Sequence, residues 1–310
     1  MKHLPVSPYA PFMNEIRVEL DHGIHLHAEV GGNPDHPCVV LIMGLGVQLI
    51  DWPASFCQYL IDQGFYVVRF DNRDIGLSSK LSDVPVRQNI LTLMIRFKLG
   101  IANTLSPSYT LEDMADDTAN LMQKLNIEQY VVIGASMGGM IAQILAAKYP
   151  KNVQKLGLLF TSNNQAFLPA PGFQQLQMFF GKAKSNQKAD IIEHRIKVSK
   201  IIGSPSCINE TKLRKIAELA YDRCYAPDGV FRQLLAILCT GSLNIWDQKI
   251  TQPTLVVHGQ RDKLLPASHG KAVAKSIKNA RFELILGMGH DIPEEYVPQL
   301  GALFAHHFKS

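Results

Sequence analysis

The sequence predicts an α/β fold: a mostly parallel, doubly wound sheet with a helical cap inserted between strands. Three observations carry this. Short apolar runs recur with helix-period segments between them, as parallel strands covered on both faces require. That alternation stops once, between about residues 162 and 251, where only helical segments occur. A glycine-flanked serine directly follows one apolar run and opens a helix. With 310 residues, one large domain with a sizeable insertion is allowed. The expected division is a sheet core over 1–161 and 252–310, with the cap over 162–251.

In chain order, Ile16–Leu20 and Ile24–Val30 alternate around the turn Asp21-His22-Gly23 and read as a hairpin. Val39–Met43, Phe65–Phe70, Tyr130–Ile133, Leu156–Phe160, Thr254–His258 and Phe282–Leu286 are short continuous apolar runs, the signature of strands buried on both faces. Thr110, with Asp113 three residues on, reads as a helix N-cap. After it Leu111, Met114, Ala115, Thr118, Leu121, Met122 and Leu125 share one helical face. Further helices are expected over Met137–Tyr149, Ser268–Lys278 and the C-terminus, where His306 and His307 are read as solvated. The cap opens at Pro169 and Pro171 and continues through Phe173–Lys184, Ala189–Ile202, Glu210–Arg223 and Gly229–Leu238. Leu81–Pro107 is irregular. Its apolar and basic run Ile90–Leu99 reads as a packed surface helix, in preference to one lying across a site.

Composition removes several function classes. Hydrophobic residues are 46% and charged residues 19% of the chain, which is globular and not disordered. A net charge of +4 with no basic stripe argues against nucleic acid as a partner. The most apolar stretch, Val39–Ile50, is 12 residues long and contains two glycines and Gln48; a membrane span needs about 20. Five dispersed cysteines without a Cys-x-x-Cys pair, and an N-terminal stretch lacking a signal-peptide core, lead to the expectation of reduced thiols in a cytoplasmic protein.

The chemistry centres on Gly134-Ala135-Ser136-Met137-Gly138. A Gly-x-Ser-x-Gly turn between strand and helix is a nucleophile elbow, in which small flanking residues let a serine stand exposed at the sheet edge. A serine needs a base, and eleven histidines compete. His25 and His27 alternate on one strand and read as a strand surface, with no third metal ligand evident. His290 follows the last strand through Gly287-Met288-Gly289, a loop that can carry a side chain over the sheet edge. Asp262, in the loop after Thr254–His258, is the expected orienting acid. The order Ser136, Asp262, His290 is the order of this hydrolase architecture, unlike those of chymotrypsin or subtilisin. Asp291 competes as the acid, but near Pro293 it reads as a helix-start carboxylate. Backbone amides of Met137 and of Leu45, in Gly44-Leu45-Gly46, are expected to hold an oxyanion. That glycine loop lacks the third glycine of a dinucleotide fingerprint.

These residues resemble the α/β-hydrolase family over nearly the whole chain. Gly44-Leu45-Gly46, Asp71-Asn72-Arg73-Asp74-Ile75-Gly76-Leu77-Ser78, His258-Gly259-x-x-Asp262 and Gly289-His290 match its further landmarks. The resemblance implies that Asp71-x-Arg73 is a structural turn. Asp74 stands where many members have glycine, which looks like the branch of bacterial carboxylesterases and anthracycline methyl esterases. Haloalkane dehalogenases are similar in fold but use an aspartate nucleophile, which Ser136 argues against. The implied activity is carboxylic-ester hydrolysis through an acyl-enzyme, on small to medium uncharged esters, with no metal or organic cofactor. Alternatives on the same triad are a proline iminopeptidase-type aminopeptidase, a carbon–carbon bond hydrolase and a cofactor-free perhydrolase; a non-catalytic binding protein is a further class. An aminopeptidase needs acids for a substrate ammonium, and Glu193, Glu210 and Glu218 lie on polar-looking helix faces. Leu91, Leu93, Met94, Ile95, Phe97, Met178, Phe179, Phe180, Leu234, Leu235, Ile237 and Leu238 are candidate pocket walls, equally well accounted for as core.

Overall fold

In the computed structural model, residues 5–81, 90–101, 107–175, 181 and 183–310 are described. The strands are β1 (Met13–Glu19), β2 (His25–Gly31), β3 (Cys38–Ile42), β4 (Tyr66–Phe70), β5 (Tyr130–Ala135), β6 (Val153–Leu159), β7 (Thr254–Gly259) and β8 (Ala280–Ile285). They form one sheet in the order β1-β2-β4-β3-β5-β6-β7-β8. The β1–β2 and β2–β4 pairings are antiparallel, and the other five are parallel. The helices are α1 (Ala54–Asp62), α2 (Ile90–Lys98), α3 (Leu111–Lys124), α4 (Met137–Lys148), α5 (Lys188–Ile202), α6 (Glu210–Arg223), α7 (Pro227–Thr240), α8 (Asn244–Asp247), α9 (Ser268–Ser276) and α10 (Val297–Lys309).

The two-residue period of the strands splits the core in two. In β3, Val40 and Ile42 pack toward α3, α4 and α9, while Val39 and Leu41 pack toward α1 and α10. That is why the inner parallel strands are continuous apolar runs; β8 corrects the expectation for Phe282–Leu286, because at the sheet's edge it is largely exposed, with Leu284 and Leu286 open to solvent. The Thr110 capping box forms as the spacing predicts: the Thr110 amide donates to Asp113 Oδ2 at 2.7 Å, and the Asp113 amide to Thr110 Oγ1 at 3.3 Å.

Helices α5 to α8 fall between β6 and β7 in the chain. Ile192 and Ile196 of α5 pack on Ala217 of α6, and Leu234, Leu235 and Leu238 of α7 pack on Leu93 of α2. The expected helix Phe173–Lys184 is helical at 173–175; residues 176–180 and 182, which hold Met178, Phe179 and Phe180, lie outside the described residues. Much of Leu81–Pro107 does so too, at 82–89 and 102–106.

Two further expectations are corrected. His307 is buried, because it follows Leu300 and Phe304 on the inward stripe of α10. Its Nε2–H donates to the Leu156 carbonyl at 3.2 Å, and burial lowers its pKa to about 4. His27 is buried as well, on the face of β2 that carries Glu29 and is covered by Ser7 and Arg69. On the same face of β2, fully buried Glu29 accepts from Arg69 Nε and Nη2 at 2.9 and 2.6 Å and from Ser7 Oγ at 2.7 Å.

The Arg69–Glu29 pair gives a direct test of the fold. Arg69→Met leaves a buried carboxylate without its cation, and it is expected to destabilise the protein by about 3–5 kcal/mol in urea unfolding. Adding Glu29→Gln should recover most of that loss. A single variant as stable as the wild type would remove the pair from the fold's energetics.

Candidate active site

Ser136 sits at the junction of β5 and α4 with φ 54° and ψ −120°. A non-glycine residue in that region is strained, by about 1–3 kcal/mol. The surroundings enforce it. A Cβ at Gly134 would run into the Gly138 carbonyl, and one at Gly138 into the carbonyl of Ile42 on β3. The Ser136 amide donates to Leu159 O at 3.0 Å, and its carbonyl accepts from Thr161 Oγ1 at 2.6 Å. The elbow is thus clamped between the ends of β3 and β6.

The loops after β7 and β8 bring Asp262 and His290 to this turn. Ser136 Oγ lies 2.9 Å from His290 Nε2, and His290 Nδ1 lies 2.7 Å from Asp262 Oδ2. A carboxylate can only accept, so Nδ1 carries the proton and Nε2 is free to accept from the serine. Asp262 Oδ1 takes two backbone amides, Leu264 at 2.9 Å and Leu265 at 2.8 Å. Burial raises the Asp262 pKa, but the charge and hydrogen bonds of His290 and His258 outweigh it and hold the pKa down at about 2. His258 Nε2, 3.3 Å from Asp262 Oδ2, also meets the Leu265 carbonyl at 2.7 Å. The Phe160 ring packs against His290 with 4.6 Å between centroids.

Asp291 does not act as a helix cap. It accepts from the Ser204 amide and from Ser204 Oγ at 2.6 Å, while Gly289 N–H donates to Ser204 Oγ at 2.9 Å. The His290 amide donates to Ile202 O at 2.8 Å. The histidine loop is therefore tied to the end of α5, a contact that spans more than 80 residues of sequence and leaves no local signal.

Ser136, His290, Leu45 and Met137 line one cavity of about 550 Å³. Gly44 packs over the serine: a Cβ there would lie 3.1 Å from Ser136 Cβ. As the first residue of α4, Met137 has an N–H with no partner inside its helix. The apolar walls come from Met94 and Phe97 of α2, Val198 and Ile202 of α5, Leu213 and Ile216 of α6, and Leu234, Ile237 and Leu238 of α7. The surface-helix reading of Ile90–Leu99 is therefore corrected, since α2 faces the cavity. Leu93 and Leu235 are buried core, Ile95 is exposed, and the Leu91 side chain lies outside the described residues. Polar groups also reach the cavity: Lys98, Lys212, Glu294, Glu295 and the Arg195–Asp51 pair at 2.6 Å. Glu193, Glu210 and Glu218 do not line it; Glu193 pairs with Arg214, and Glu210 with Lys200.

Sequence reasoning missed the residues that brace this site from the insertion. Arg232 of α7 makes two 2.8 Å hydrogen bonds to Asp74, which sits at φ 73° and also accepts from Tyr109 Oη at 2.7 Å. Arg223 of α6 donates to Asp71 at 2.6 Å. Arg73 pairs with Asp117, so Asp71 and Arg73 make structural contacts. Among the described residues, Glu15, His27 and Glu29 place possible metal-ligand atoms within 4.8 Å of one another. Both Glu29 oxygens are already engaged by Arg69 and Ser7, and the group is outside the cavity lining. No helix among the described residues is long and apolar enough to cross a membrane.

The family described as alpha/beta hydrolase fold matches residues 37–202. Rhodomycin D methylesterase DnrP of Streptomyces peucetius is 22% identical over 305 residues, covering 91% of this chain and 95% of that protein. A poly(3-hydroxyalkanoate) depolymerase of Ectopseudomonas oleovorans is 30% identical over 273 residues, covering 86% of this chain and 83% of that protein. Among solved structures, an esterase from Exiguobacterium antarcticum superposes with a TM-score of 0.72 at 19% identity, covering 95% of this chain and 99% of that one.

The depressed Asp262 pKa sets a pH dependence. The folded pKa of about 2 lies below the ordinary value of about 3.9. The stabilisation is therefore complete above about pH 4 and is lost as pH falls from there toward about 2. The stability difference between wild type and Asp262→Asn, measured by urea unfolding, should narrow over that window. A difference that stays constant to the bottom of it would contradict the assigned environment.

Proposed function

The chain belongs to the alpha/beta hydrolase fold family, and from that premise we propose that it is a serine hydrolase of carboxylic esters. The observation that carries the proposal is the continuous chain from Ser136 Oγ through His290 to Asp262, at 2.9 and 2.7 Å. In this reading His290 Nε2 takes the serine proton as Oγ attacks the ester carbonyl. The amides of Leu45 and Met137 hold the oxyanion, at the positive end of α4. His290 then protonates the leaving alcohol, and water repeats the sequence on the acyl-enzyme. Asp262, ionised throughout the neutral range, fixes the imidazole tautomer and stabilises the imidazolium.

Residues 162–251 are proposed as the cap, and the cavity walls they supply support small to medium uncharged acyl groups. The relatives named above include a methylesterase and a polyester depolymerase, both consistent with ester chemistry. For the aminopeptidase alternative, Glu193, Glu210 and Glu218 stand outside the cavity, whereas Glu294 and Glu295 line it.

Ser136→Ala should leave the protein folded and unreactive toward a fluorophosphonate probe, and its esterase activity should fall to a residue of about 10³–10⁴ over water. Activity within about tenfold of wild type would remove Ser136 as nucleophile. Asp262→Asn should lower kcat by on the order of 10⁴. Asp291→Asn, which weakens only the tie to Ser204, should cost far less activity. The reverse ranking on folded variants would move the acid to Asp291. A panel of p-nitrophenyl esters of rising acyl length tests the size preference; faster turnover of long-chain than of butyrate esters would overturn it.

A further inference from the structure

We propose that Gln233 is a positioning residue for the oxyanion loop, acting through Gly46; this rests on the serine-hydrolase reading. Gln233 is fully buried on α7. Its Oε1 accepts from the Gly46 amide at 2.9 Å, and its Nε2 donates to the Arg73 carbonyl at 2.9 Å. The orientation of the side-chain amide is unambiguous, because a backbone N–H can only donate and a carbonyl only accept. Both ends of the amide are thus occupied by main chain from the sheet core, although the residue belongs to the insertion.

Three observations give the contact its meaning. Gly46 has φ 71°, and a Cβ there would lie 2.9 Å from Val230 Cγ1. Val230 is three residues before Gln233, on the same side of α7, so the helix both presses on the loop and hydrogen-bonds it. The loop is held again two residues on. Gln48 Nε2 donates to the carbonyls of Ala220 and Cys224 at 2.7 and 2.9 Å, and Gln48 Oε1 accepts from Arg223 Nη1 at 2.7 Å. The Leu49 amide donates to Asp71 Oδ1 at 2.8 Å. Gln233 is therefore the nearest anchor on the C-terminal side of Leu45, as Asn72 Nδ2 on the Met43 carbonyl at 2.9 Å is on the other side. It fixes the peptide plane between Leu45 and Gly46, adjoining the plane that carries the Leu45 N–H. Two soft dihedrals then separate that N–H from its support on this side; without Gln233 the next held plane downstream, at the Gln48 amide on Asp51 Oδ2, is six away.

A role of this kind affects the transition state more than ground-state binding. The test compares Gln233→Met with wild type, using p-nitrophenyl butyrate and two inhibitors. One is a butyramide, which binds as the ester does. The other is a short trifluoromethyl ketone, whose carbonyl carbon bonds to Ser136 Oγ as the hydroxyl proton passes to His290, leaving its oxygen as an anion at the amides. Gln233→Met should lower kcat/KM by about 10–100-fold, short of the effect of deleting an oxyanion donor. Ketone affinity should fall in parallel, with butyramide affinity unchanged within about twofold. Gln233→Glu, whose protonated carboxyl keeps an acceptor toward Gly46 and a donor toward the Arg73 carbonyl, should restore at least about fivefold of the loss at a pH below its ionisation. Gln233→Asn, which withdraws the amide by one methylene, carries the same test if the methionine variant does not fold. Arg232→Gln loosens α7 from Asp74 without touching the loop. It should shift thermal stability without the selective loss of ketone affinity. A folded Gln233→Met enzyme within about twofold of wild type, or the same ketone loss in Arg232→Gln, overturns the proposal. A wild-type protein inert to esters and to fluorophosphonate overturns the serine-hydrolase reading instead.

Discussion

The turn at Ser136 is the constraint on which the rest of the site depends. A residue with a side chain is held at φ 54°, in a region that costs free energy and that only tertiary structure can enforce. Enforcement comes from the two strands that flank β5. Gly138 abuts the Ile42 carbonyl on β3, Gly139 abuts Thr161 after β6, and the Ser136 amide donates back to Leu159. Because β5 lies between β3 and β6, the glycine loop after β3 arrives beside the serine. The loops after β7 and β8 bring the acid and the histidine from the other side. A parallel sheet delivers all these strand ends to one edge, so the strain at one residue is supported by the whole sheet order.

The insertion is joined to that edge by buried polar contacts as well as by apolar packing. Asp74 shows the logic. Its φ of 73° favours glycine, and an L-residue there carries a penalty of roughly 1–2 kcal/mol. In return its carboxylate takes Arg232 twice, Tyr109 and the Leu81 amide. Such a pair adds little net stability once desolvation is counted, but a misplaced partner would leave a buried charge uncompensated. The consequence is positional: α7 has one low-energy seat. Arg223 on Asp71 does the same for the end of α6.

Much of this was legible in the sequence, and for a physical reason. Inner parallel strands buried on both faces, the Thr110 capping box and the Gly134–Gly138 turn are fixed by residues a few positions apart, so their signals are local. The placement of Asp262 and His290 followed from strand ends that share an edge. Hidden were the features set by distant partners. The polarity of histidine points His307 to solvent, although its place in α10 follows the inward stripe of Leu300 and Phe304. Alternation along β2 points His27 to a strand surface, because it does not disclose that Ser7 and Arg69, distant in sequence, cover that face. The neighbour Pro293 points Asp291 to a helix start, but its partner Ser204 is 87 positions away. Gln233 and Gly46 are separated by 187 positions, and a glutamine within an apolar helix carries no mark of its purpose.

The sharing of α7 between two tasks has a consequence for how substrate choice and rate are related in the proposed enzyme. Leu234, Ile237 and Leu238 form cavity wall, while Val230 and Gln233 bear on the loop at Gly46. These are adjoining faces of one rigid helix, so a ligand that shifts the wall also shifts the support of the Leu45 amide. An acyl group that fits leaves the Gln233 contact with Gly46 intact and keeps the proposed oxyanion amides in place. One that is too large must displace the helix, and then its binding is realised at the expense of transition-state stabilisation. Selectivity in such an arrangement appears in kcat/KM before it appears in affinity, because the same displacement leaves apolar contacts largely intact while misaligning a hydrogen-bond donor whose value depends on fractions of an ångström.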